Sequence, residues 1–161
     1  MNIRALRGFL LCLFLGALPV FAAPELTLVR VWPEWRDGKS FKRISEYFTG
    51  RENTGGQLIV RTDPARRTGY YFLVRLDNPG GARAVQCQLH LIPQGSPVQR
   101  TTVFSAKLQP GANVLNLGLT TPEWSDPKTQ PVAWQLQVVS EADGAILASE
   151  KSYLWDKPAG K

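Results

Sequence analysis

From Arg83 to Leu91 apolar and polar residues alternate, which sets Val85, Cys87, Leu89 and Leu91 on one face and Gln86, Gln88 and His90 on the other. A period of two of this kind predicts a strand with one dry and one wet face in an antiparallel sheet. The same pattern places Tyr70, Phe72, Val74 and Leu76 together. It also places Val132, Trp134, Leu136 and Val138 together, and Leu115, Leu117 and Leu119 against Asn116 and Gly118. Weaker strand patterns cover residues 25–32, 57–62, 98–108 and 145–155. Turn formers separate most of these runs: Asp77-Asn78-Pro79-Gly80-Gly81, Pro93-Gln94-Gly95-Ser96-Pro97, Gln109-Pro110-Gly111-Ala112 and Ala142-Asp143-Gly144. Eight short strands divided by Pro/Gly turns predict an all-β sandwich or barrel.

One stretch has a different period. Ser40 is positioned to N-cap a short helix running through Phe48, with Phe41, Ile44 and Phe48 at helical spacing and Gly50 just past its end. On this reading the three apolar residues face the sheet. The connection between the first two strands then runs from Pro33 to Gly56, far longer than the usual ~2–6 residues. A second irregular stretch, residues 120–131, carries Trp124 between Pro122 and Pro127.

The segments Tyr71-Phe72-Leu73-Val74-Arg75-Leu76, Leu108-Gln109-Pro110-Gly111-Ala112-Asn113, Ala133-Trp134-Gln135-Leu136-Gln137-Val138 and Asp143-Gly144-Ala145-Ile146-Leu147-Ala148-Ser149 resemble strands of immunoglobulin and fibronectin type III sandwiches. From Gln57 to Trp155 the chain is similar to small exported bacterial proteins of unknown function built on such a domain. It departs from true immunoglobulin domains in having no Cys…Trp…Cys framework. The resemblance implies an immunoglobulin-like antiparallel β-sandwich of about 7–8 strands, to which the helical spacing above adds one short helix inserted after the first strand. It brings no catalytic residues with it, because this architecture hosts many unrelated functions.

The beginning of the chain adds a destination. Arg4 and Arg7 precede an apolar run from Gly8 to Phe21 that ends in Ala22 and Ala23, the pattern of a secretory signal peptide. Cleavage after Ala22 puts small residues in both recognition positions, giving a leader at 1–22 and a single domain at 23–161 that is periplasmic or extracellular. The alternative, an uncleaved anchor, has too short a run and Pro19 within it. Cleavage would remove two of the 19 basic residues and none of the 13 acidic ones, leaving +4 on 139 residues in place of +6 on 161. That charge is modest and its carriers are scattered, so nucleic acid is not an expected partner. Cys87 would be the sole remaining cysteine. On the dry face of a strand it is expected to be buried and unpaired.

The chemical inventory narrows the function classes. The single histidine, His90, lies between glutamines on a wet strand face, a poor setting for a general base. There is no Gly-x-Ser-x-Gly elbow, phosphate-binding loop or dinucleotide fingerprint. One His and one mature Cys cannot fill a zinc site. No catalytic residue, metal or cofactor is therefore assigned. The denser constellation is Trp32-Pro33-Glu34-Trp35-Arg36 followed by Tyr47, Arg51, Glu52 and Asn53. Aromatics with Arg, Glu and Asn on irregular backbone are the materials of a binding surface. They serve equally to cap a sandwich, with Trp32 plugging its open end and the helix covering a sheet edge. The candidate contact residues are Trp32, Glu34, Trp35, Arg36, Tyr47, Arg51, Glu52, Asn53 and Trp124. The expected function is a non-catalytic, exported protein-interaction or cell-envelope accessory domain. The rival readings are a carbohydrate-binding module using exposed Trp residues and an unrecognised hydrolase.

Overall fold

The alternating runs pair into two four-stranded sheets stacked into a β-sandwich in the computed structural model, which describes residues 25–156. The segment expected to be a leader, 1–22, lies outside the described residues. In chain order the strands are β1 (Thr27–Arg36), β2 (Leu58–Arg61), β3 (Gly69–Asn78), β4 (Arg83–Pro93), β5 (Arg100–Leu108), β6 (Gly111–Leu119), β7 (Pro131–Ser140) and β8 (Ile146–Lys151). The first sheet has the order β1-β3-β6-β2 and the second β5-β4-β7-β8. All pairings are antiparallel except that of β2 with β6, which is parallel. No helix among the described residues is long and apolar enough to cross a membrane.

The parallel pair departs from the expected antiparallel pattern, and residues 62–68 make it feasible. They carry the chain from β2 past the end of β6, so that β3 returns on the far side of it. Thr120, fully buried, holds that crossing: its Oγ1 accepts from the Asp63 amide at 2.9 Å and donates to the Asp63 carbonyl at 2.9 Å. The Thr120 amide in turn donates to Thr62 Oγ1 at 2.8 Å. These bonds pair backbone groups of Asp63 and Thr120 where the connection leaves the sheet.

The interior follows the alternation closely. Phe72, Val74, Leu76, Leu115 and Leu117 of the first sheet meet Val85, Cys87, Leu89, Leu91, Leu136 and Val138 of the second. The Phe72 and Trp134 rings meet edge to face at 5.4 Å, a favoured aromatic geometry. Val132 is the exception, half-exposed at the start of β7, while Ala133 and Val139 on the opposite face are buried. The weaker strands are trimmed at their ends by turns, to Leu58–Arg61, Arg100–Leu108 and Ile146–Lys151.

Two expectations about the first connection are corrected. The β1 strand continues through Pro33 to Arg36, in register with β3 as far as Gly69. Proline is tolerated there because β1 is an edge strand, where a missing N–H costs least. The insertion is therefore residues 37–57. Nor is it one helix from Ser40 to Phe48: a 3-10 turn at Gly38–Phe41, capped by Asp37, is followed by the separate helix α1 (Ile44–Thr49). Gly50 closes α1 in the left-handed conformation, φ 65°, as its position past the helix end implied.

Cys87 is fully buried and free, and burial pushes its thiol up to about 12. The thiolate is the reactive form. Alkylation of Cys87 at pH 8, mapped by mass spectrometry, is expected only after unfolding; rapid labelling of the native domain would mean the faces of β4 are reversed. Cys87→Ser should cost about 1–2 kcal/mol in denaturant unfolding, because it leaves a hydroxyl in apolar surroundings.

Candidate functional site

The insertion folds back over the outer face of the first sheet. Strand register puts Trp32, Glu34 and Arg36 of β1 on that face, beside Leu73 and Tyr71 of β3 and Asn116 and Gly118 of β6. Phe41, the one apolar residue of the 3-10 turn, is buried against Tyr71 with ring centroids 4.7 Å apart. The Arg36 guanidinium lies 4.2 Å from the centre of the Phe41 ring and that of Arg61 5.3 Å from it, within cation–π range. Tyr71 is fully buried although it points away from the sandwich interior, and the insertion accounts for this. Its hydroxyl accepts from Arg61 Nε at 2.9 Å and donates to the Arg67 carbonyl at 2.7 Å.

Ion pairs fasten the rest of the insertion. Arg61 forks onto both oxygens of Glu52, at 2.9 and 2.6 Å, the bidentate geometry in which Arg binds carboxylates best. Arg67 donates to Glu46 Oε2 at 2.7 Å. Glu46 Oε1 accepts from the Arg43 and Asn53 amides, closing the start of α1 onto the loop that follows it. The face that α1 turns inward is therefore Glu46, only 9% exposed, while Ile44 is 78% and Phe48 85% exposed. Of the three residues expected to face the sheet, Phe41 does so and Ile44 and Phe48 do not. A six-residue helix preceded by a separate turn has no continuous apolar stripe, and Glu46 meets three donors on the inward side.

The Arg67 hydrogen bond holds the Glu46 carboxyl below its usual range, and the Arg61 hydrogen bond does the same for Glu52. A lowered native pKa means that the unfolded chain takes up protons first as pH falls. The anchoring of α1 is thus complete above the ordinary carboxylate value of 4.5 and is lost as pH drops through the lower native values. Followed by NMR, the Asn53 amide is expected to hold its shift down to about pH 4.5 and to move only below it; a midpoint above 4.5 would show that the Arg contacts do not favour the carboxylates.

The six candidate contact residues other than tryptophan separate into three places. Glu34, Arg36 and Asn53 line a groove of about 280 Å³ on the outer sheet face, together with Phe41, Arg43 and Gln57. Arg36 and Glu34 pair at 3.5 Å, and Asn116 links Arg36 to Gln57, accepting from the first at 3.5 Å and donating to the second at 2.9 Å. Tyr47 and Arg51 project from the outer end of the insertion. Glu52 turns inward to Arg61 and serves the fold.

The tryptophans do not form one platform. Trp124 is 3% exposed and stacks toward Tyr70 at 6.0 Å, so it belongs to the core. Trp35 packs against the same core and donates its Nε1–H to the Trp124 carbonyl at 3.1 Å. Trp32 does not plug an open end of the sandwich; it lies on the outer sheet face, with Arg30 at 3.9 Å and Arg75 at 5.4 Å from its ring centre.

Ile44, Phe48, Lys42 and Arg43 were not singled out as surface residues by the pattern. The signal available was local: basic residues on both sides of an apolar trio, within a helix that Gly50 ends after six residues. Comparison with protein-family models, curated proteins and solved structures gives no match to this chain.

Proposed function

We propose that the protein is an exported, non-catalytic domain of the cell envelope that works by docking through the outer end of the insertion. The observation that carries this reading is the orientation of α1. Its apolar residues Ile44, Tyr47 and Phe48 stand 75–85% exposed on one side, at the i, i+3, i+4 spacing of a single helix face. Their support is a buried acid pinned by Arg67. Clustered exposed apolar side chains with a rigid base are a contact surface by physical economy. The leader pattern supports export.

The carbohydrate reading retains Trp32 and the adjoining groove. A sugar stacking on Trp32 would have to displace the Arg30 guanidinium from its ring, so docking is preferred. His90 shares a 2.8 Å hydrogen bond with Thr101 and lies beside Trp155, which is consistent with a structural role on the second sheet.

The test is site-specific photocross-linking in the native host. A benzophenone side chain is placed at Phe48 or, as a control, at Val103, which is half-exposed on the second sheet. Position 48 is expected to cross-link to an envelope component and position 103 is not. Equal yields from both positions, or none from 48, would overturn the reading.

A further inference from the structure

We infer that the surface met by α1 is an anionic lipid bilayer, an inference that rests on the docking reading above and names its occupant. Three basic side chains in and around α1, Lys39, Lys42 and Arg51, are exposed, while the Arg43 guanidinium lies over Gly55 beside the groove. The only acid among residues 39–51 is Glu46, and its carboxylate is buried on Arg67. Between Asp37, which caps the 3-10 turn, and Glu52, which turns inward to Arg61, the exposed charge of the segment that carries Ile44, Tyr47 and Phe48 is thus of one sign. Lys42 places its Nζ 5.8 Å from the centre of the Tyr47 ring, so charge and apolar surface are adjacent and reach outward together. Apolar side chains ringed by Lys and Arg are the composition that enters the boundary between headgroups and acyl chains of acidic membranes.

Size and shape favour a bilayer over a protein partner. Specific protein interfaces engage about 20–30 residues on each side, whereas this tip offers three apolar residues and three cations. The apolar residues protrude and do not line a hollow, so a rigid partner would need a matching cavity; a fluid bilayer needs none. Beside Tyr47 a cavity of about 270 Å³ is lined by Lys42, Glu46, Gly50 and Arg67. Glu46 being neutralised by Arg67, the cavity presents the Lys42 ammonium to a lipid phosphate at the depth where Tyr47 enters.

Vesicle flotation tests this with phosphatidylglycerol-containing and pure phosphatidylcholine vesicles. The chain is taken as purified from an exporting host, with its N-terminus read by mass spectrometry; all variants share that terminus, so differences between them report on α1. Wild type is expected to float with phosphatidylglycerol vesicles, to lose them at high salt and to leave phosphatidylcholine vesicles largely unbound. Ile44→Ser with Phe48→Ser should weaken binding at least about tenfold, and Lys42→Glu with Arg51→Glu by more than about tenfold. Val103→Ser should change nothing. Unaltered unfolding midpoints show that the variants fold. Equal binding by wild type and α1 variants would overturn the inference, as would failure of wild type to bind. If wild type fails while position 48 still cross-links to an envelope protein, the lipid inference falls and the docking reading stands; if both fail, both fall. Self-association abolished by the Ile44/Phe48 variant would assign the tip to a second copy and overturn the inference.

Discussion

Gly118→Ala is expected to destabilise the domain by about 3 kcal/mol and to lower its thermal midpoint by roughly 10 °C. A Cβ at position 118 would lie 2.5 Å from Tyr71 Cε1 and 2.9 Å from Cζ, closer than packed carbon atoms come. Gly118 is the register partner of Tyr71 across the β3–β6 pair, so the ring sits directly over it. The ring has no cheap retreat: Phe41 covers it, and its hydroxyl is engaged with Arg61 and Arg67. Moving it would strand buried polar groups as well as open a void. Thermal unfolding of the variant decides the matter, and a midpoint within 2 °C of wild type would show that the ring is not seated as described.

Arg61→Met is expected to cost about 2–4 kcal/mol in denaturant unfolding. Only 7% of the Arg61 side chain is exposed, and its removal leaves Glu52 with only the distant Arg67 Nε at 3.8 Å and the Tyr71 hydroxyl with only the Arg67 carbonyl. Breaking a buried ion pair from one side typically costs ~3–5 kcal/mol; Glu52 is 25% exposed, and water reaching it reduces the penalty. Arg61→Lys should not rescue, because an ammonium cannot serve both Glu52 oxygens and Tyr71 in one fork. The double variant Arg61→Met, Glu52→Met should recover at least half of the loss, since no orphaned charge remains. A double variant no more stable than Arg61→Met would argue that packing of the guanidinium on Phe41, and not the ion pair, holds the insertion.

What could be read from the sequence follows from which interactions are periodic. Tyr70, Phe72, Val74 and Leu76, and Val85 to Leu91, alternate because each sheet has one face turned inward, and burial of Cys87 follows from the same rule. Layering and strand count were legible on these grounds. The parallel β2–β6 pair was not, because a four-residue strand carries no mark of its partner's direction. The insertion was misread for a related reason: beside Phe41 it turns Glu46 and Glu52 inward, onto Arg67 and Arg61, and that depends on partners distant in sequence. Apolar spacing assigned Ile44 and Phe48 to the interior, where a carboxylate bound by three donors already sits. Trp124 and Trp35 occupy the core for the same kind of reason, joined by a hydrogen bond across 89 positions.

The parallel pairing also sets an order of assembly. The hairpins β4–β5 and β7–β8 close through short turns, whereas the Asp63–Thr120 bonds that lock β2 beside β6 span 57 residues. Loop closure over that distance is entropically expensive until β3 and β6 have already paired. The outer end of the first sheet is thus expected to condense last and to open first. Substitutions in residues 37–57 should accordingly accelerate unfolding in stopped-flow experiments while leaving the refolding rate unchanged.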